Sequence, residues 1–135
     1  MINIESEVFS TVATALRAEF TGIFVSGEAV AAPSSFPAVT LVEQANSTYQ
    51  RSLDSSGSEK HAVVMYEANA YSNLGSGKKK QTRAIMAIID DEMQDMGFVR
   101  IGSSPAEVPN ADKTIYRMVA RYRATVSKDK TIHRR

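Results

Sequence analysis

Lys78, Lys79, Lys80 and Arg83 crowd together directly after Gly75-Ser76-Gly77. A glycine-flanked lysine between a β-prone run and a helix is the setting of a phosphate-binding loop. That loop needs GxxxxGK[ST], so that backbone amides cradle phosphates and a hydroxyl reaches the metal. Here Ser72 stands at the first glycine position and Lys79 at the hydroxyl position, so both requirements fail. Further along, Asp90, Asp91, Glu92 and Asp95 form an acidic group, and Asp91 and Asp95 have the i, i+4 spacing to share a hard cation. An ordinary acidic helix face has the same spacing. Arg117, Arg121 and Arg123 share one parity in the run TIYRMVARYRATV, a row suited to carboxylates of a neighbouring subunit or to nucleic-acid phosphates. A solvated face with cross-strand pairs gives the same pattern. The only histidines are His61 and His133, there is no cysteine, and no nucleophile–base–orienter set is recognisable by motif. The chain does not read as an enzyme, and no cofactor or metal is expected.

These residues need elements to hold them. Ile4, Val8, Val12, Ala15, Leu16 and Phe20 recur at helical spacing, which predicts a first amphipathic helix over 3–20. A short β-prone run at 23–25 and a proline-containing connection over 27–37 follow. Strands are predicted over 38–44 and 60–71, separated by a polar, serine-rich loop at 45–58. In the longer of these, Ala62, Val64, Tyr66, Ala68 and Ala70 alternate onto one face, with His61, Glu67 and Asn69 on the other. A second helix follows the turn at 72–77, with Ile85, Ile88, Ile89, Met93 and Met96 in helical register and Gly97 at its C-cap. A short strand over 98–101, a loop over 102–113 and a final strand over 114–126 complete the order. In the last, Tyr116, Met118, Ala120, Tyr122, Ala124 and Val126 share the face opposite the arginines. The fold class is α+β, a mainly antiparallel sheet of about four or five strands with two helices packed on one face. Residues 1–127 read as one domain, and 128–135 as a basic tail expected to fray.

Charge order in the second helix is unusual. Its basic residues open it and its acidic residues close it, the reverse of what the macrodipole favours, at a cost of ~0.3–1 kcal/mol per terminal charge. Helix stability therefore does not account for the arrangement. Residues 79 to 92 span about 20 Å of helix, enough for the two ends to meet different complementary surfaces.

At 135 residues, with 43% apolar and 23% charged residues, the chain has the composition of a globular domain able to bury a modest core. A formal net charge of +1 excludes polyanion binding by bulk charge, leaving only local patches. No apolar run approaches the roughly 18 residues of a membrane span. The opening MINIESEVFSTV has no basic region ahead of an apolar stretch and does not read as a signal peptide. The expected setting is the cytoplasm or a particle assembled there.

Beyond these readings, SSFPAVTLVEQAN (34–46), VVMYEANAYSNLGSGKKKQTRAIMAIIDDEMQDMGFVR (63–100) and NADKTIYRMVARYRATV (110–126) resemble the tail terminator, or tail-completion, proteins of long-tailed bacteriophages. The resemblance covers most of the chain. It implies a similar α+β fold and a hexameric ring of copies that caps the tail-tube protein and presents a surface to the head-side connector. It also implies location in the virion at the head–tail junction, with no active-site residues to carry over. Lys78, Lys79, Lys80, Arg83, Asp90, Asp91, Glu92, Asp95, Arg117, Arg121 and Arg123 become candidates for the subunit interface or for a lumen that DNA passes through. The loop at 45–58 becomes a candidate for ordering on docking. Head-closure and connector components share this size and composition, and a small nucleic-acid-binding module using the arginines is the other reading.

Overall fold

A computed structural model describes residues 1–30, 33–48, 61–109, 112–127 and 129–133. In chain order the elements are α1 (Glu5–Glu19), β1 (Phe24–Ser26), β2 (Ala38–Thr48), β3 (His61–Ser72), α2 (Lys78–Met96), β4 (Val99–Glu107), β5 (Tyr116–Ser127) and β6 (Ile132–His133). They build an α+β fold with one six-stranded sheet in the order β1-β2-β3-β5-β4, and β6 pairs with β5 beyond the end of β4. Among the described residues only the β1–β2 pair is parallel.

The core follows from strict alternation in the two central strands. Register sets Ala62 opposite Val126, Val64 opposite Ala124, Tyr66 opposite Tyr122, Ala68 opposite Ala120 and Ala70 opposite Met118. All ten are buried. Against this face α1 lays Val8, Val12 and Leu16, and α2 lays Ile85, Met86, Ile89 and Met93. Small alanines between the two tyrosines and the two helices leave room for the helices to sit close to the sheet.

The centre of the core is a polar-tipped aromatic pair. Tyr66 and Tyr122 are both fully buried, and each donates its hydroxyl to a carboxylate: Tyr66 to Glu43 Oε1 at 3.0 Å, Tyr122 to Asp90 Oδ1 at 2.9 Å. Phe98 meets Tyr66 edge-to-face with ring centroids 5.5 Å apart. Burial and the adjacent carboxylates push both phenols far above their ordinary value of about 10.

Several boundaries differ from the sequence expectation, each for a local reason. β2 runs past Gln44 because a bulge there inserts one residue: Glu43 faces Tyr66, while Ala45 faces Met65. Glu43 keeps the inward parity of Val39 and Leu41, and the step brings Asn46 onto that same face, where Asn46 Nδ2 donates to the Ile2 carbonyl at 2.6 Å. The expected loop at 45–58 thus begins as strand, and its remainder over 49–58 lies outside the described residues. β4 continues through Pro105 because it is an edge strand whose register shifts between Ile101 and Ala106, and Gly102 supplies a positive φ of 68° there. Ile132–His133, expected to fray, instead forms β6 on β5. Its turn is tied by the Ser127 hydroxyl to Asp129, and Lys130 pairs with Glu7 of α1 at 2.9 Å. α2 ends as expected at Gly97, whose φ of 107° lets the Phe98 amide reach the Met93 carbonyl at 2.9 Å.

A pH dependence follows from the tyrosine pair. Below about pH 10 both phenols are neutral in folded and unfolded chains alike, and their full contribution to stability is present. Above it the unfolded chain ionises and the folded one resists, so stability falls as pH rises past 10. Urea denaturation from pH 8 to 11 should show that decline, and Tyr66→Phe with Tyr122→Phe should flatten it. Tyr122→Phe alone should cost about 1–2 kcal/mol at pH 7, because it removes one hydrogen bond to a charged acceptor.

Candidate functional site

The sheet face turned away from the helices carries the sequence-predicted arginines. Cross-strand register places Glu67 opposite Arg121, Asn69 opposite Val119, Tyr71 opposite Arg117 and Met65 opposite Arg123. The side chains form a continuous ladder. Arg121 Nη2 lies 3.1 Å from Glu67 Oε2, Asn69 Nδ2 donates to Glu67 Oε1 at 3.0 Å, and Arg117 Nε donates to Asn69 Oδ1 at 2.9 Å. The Arg117 guanidinium then stacks over the Tyr71 ring, 5.7 Å from its centroid. Direct and diagonal cross-strand pairs of this kind contribute about 0.2–1 kcal/mol each.

The ladder divides this face in two. Around Asn69 and Tyr71, the residues Ala38, Thr40 and Val119 are all buried, so that end is closed. At the other end Arg123 is exposed between Met65 on β3 and Val99 on β4, and Val99 is itself 42% exposed. Arg123 has no ion pair among the described residues. Arg117 and Arg121 thus have work within the chain, and Arg123 alone of the three faces outward without it. That division weakens the reading of the row as a phosphate track, which needs several uncommitted cations along one line. Among the described residues this face offers no exposed tyrosine for stacking either, since Tyr66 and Tyr122 lie in the core and Tyr71 beneath Arg117.

The charged helix lies on the opposite side of the sheet. Lys79, Lys80, Arg83, Asp91 and Asp95 are exposed on α2, and Lys78 and Glu92 are half-buried. Asp90 departs from the expected set. It turns inward, paired with Arg100 at 2.9 Å, accepting the Tyr122 hydroxyl and the Gln94 amide at 2.6 Å. It is therefore a structural carboxylate. Sequence reasoning passed over its partner Arg100; the available signal was a charged residue at the core parity of a strand, two positions after Phe98. The basic helix start and the arginine face are two surfaces, separated by the sheet.

A cavity of about 240 Å³ between α2 and β4 is lined by Arg83, Met86, Asp90, Arg100, Pro105 and Tyr122, among others. That volume is below the ~300–1,000 Å³ of most small-molecule sites, and Asp90, Arg100 and Tyr122 already satisfy one another. His61 and His133 flank β5 at the same end of the sheet, in register with Ser127 and Thr125. Among the described residues no three metal-ligating side chains cluster, and no helix is long and apolar enough to cross a membrane.

No protein-family model matches the chain, and no curated protein matches it significantly.

Ladder residues and the arginine beyond the ladder are separable by mutation. Asn69→Ala should cost about 1–2 kcal/mol, since it removes hydrogen bonds to two charged groups from a buried position. Arg123→Ala should stay within about 0.5 kcal/mol of wild type. Urea midpoints of the two variants measure the difference.

Proposed function

We propose that this chain is a structural virion protein, a ring-forming tail terminator that caps the tail tube of a long-tailed phage and joins it to the head. The observation that carries the reading is the open end of the outer sheet face. Arg123 stands there between Met65 and Val99, committed to nothing among the described residues, on a rigid scaffold. A cation flanked by apolar side chains suits a protein contact, where aliphatic neighbours exclude water and a carboxylate from the next subunit meets the guanidinium.

The mechanism is surface complementarity. A head-to-tail contact uses two different patches, and a closing rotation yields a ring instead of a filament. One ring face would copy the contact that a tube subunit offers, which stops polymerisation, while the other face receives the head-side connector. Such a particle assembles in the host cytoplasm and ends at the head–tail junction. DNA would pass through the lumen without sequence-specific contacts.

Native mass and negative-stain images of concentrated protein, alone and with purified tail tubes, test the reading. A ring with a central hole, free or seated on tube ends, is expected. Arg123→Glu should reduce ring formation while leaving the monomer folded. A protein that stays monomeric at high concentration and does not bind tube ends overturns the proposal.

A further inference from the structure

Five exposed residues of α2 fall in one row: Lys79, Arg83, Ala87, Asp91 and Asp95, each four positions after the last. Residues spaced by four make a continuous ridge along a helix, here about 24 Å long at ~1.5 Å per residue. The ridge is charged in mirror image about its middle. Two cations precede Ala87, two anions follow it, and the midpoint is a methyl group. Each step of the row also turns about 40° around the helix, so it lies along a copy of itself when the two helices cross about 50° from antiparallel; Lys79 then comes opposite Asp95 and Arg83 opposite Asp91, twice each, with Ala87 meeting Ala87 at the crossing. Ala84, also exposed, keeps the neighbouring row low. Small residues at a crossing allow helices to approach to about 8 Å.

From this self-complementarity we infer that the outer ridge of α2 is a two-fold docking surface for a second copy of this chain. The pairing also accounts for the reversed charge order. α2 has no acidic residue in its first turn and no basic residue in its last, so its own macrodipole opposes its charges. In a pair crossed this way each basic start falls on the side of the other helix's negative end, and each acidic end on the side of the positive one. The placement that is unfavourable within one helix becomes favourable between two. The contact is isologous. It is independent of the ring reading, because this ridge and Arg123 lie on opposite sides of the sheet. One helix row buries less than the ~1,200 Å² of a standard interface, so the association is weak and salt-sensitive.

A single cysteine tests the symmetry directly, because the chain has none of its own. A disulfide requires Cβ atoms about 3.5–4.5 Å apart, which two copies of one residue satisfy only beside a two-fold axis. Ala87→Cys, mildly oxidised at low salt, should form a covalent dimer, and Ala18→Cys, exposed on α1, should not. Arg83→Asp or Asp91→Arg alone should slow that cross-linking by about tenfold or more, since each places like charges face to face twice. The double reversal Arg83→Asp with Asp91→Arg should restore it. Within one helix these positions are eight residues apart, more than two turns and about 12 Å, too far to pair with each other, so recovery reports a contact between molecules. Equal cross-linking of the Ala87 and Ala18 variants, or no recovery in the double reversal, overturns the inference.

Discussion

Everything in this molecule is arranged around two tyrosines that face each other across the central strand pair. Tyr66 and Tyr122 are in register, fully buried, and large enough to decide how far the helices stand from the sheet. A buried phenol hydroxyl without a partner would cost about 1–3 kcal/mol. Each therefore fixes a carboxylate, Glu43 on β2 and Asp90 on α2, and those fix further elements. Asp90 brings Arg100 with it and so ties α2 to the edge strand β4. Glu43 takes its orientation from the alternation it shares with Val39 and Leu41, and the bulge that follows at Gln44 aims Asn46 at the chain entering α1.

This register also decides what the far side of the sheet presents. In a strand the side chains alternate, so a slip of one residue would exchange the tyrosine face with the arginine face. The buried pair forbids that slip. Glu67, Asn69, Arg117 and Arg121 can then align as a ladder whose members satisfy one another. The outward position of Arg123 is thus a consequence of core packing one residue away.

How much of this the sequence discloses depends on the range of the interaction. Both faces of β3 and β5 are legible because each strand runs 12 residues without a break in register. α2 and its glycine cap are legible because the signals lie within a few residues of one another. The far half of β2 is not, since a bulge interrupts the parity just where Gln44, Asn46 and Ser47 suggest a loop. Pro105 reads as a breaker until β4 is known to lie at an edge, where a missing amide proton costs little. β6 is two residues long and exists only because β5 extends past β4 to receive it. Asp90 looks like its neighbours in sequence; only the fold reveals that it points at Tyr122 while Asp91 points at solvent.

That last contrast explains how α2 tolerates its charges. Lys78, Lys79, Lys80 and Asp95 occupy its terminal turns, and at ~0.3–1 kcal/mol each they cost about 1–4 kcal/mol against the macrodipole. On the inner face Ile85, Met86, Ile89 and Met93 are buried, and at ~1.5–3 kcal/mol each they contribute about 6–12 kcal/mol. Tertiary packing wins by a margin wide enough to hold the helix whatever its outer row carries. The helix therefore does not depend on the charge order of its outer row. Drift alone gives no reason for cations to gather before Ala87 and anions after it in one continuous row. An electrostatic partner of opposite polarity does, and an antiparallel copy of the same helix has that polarity.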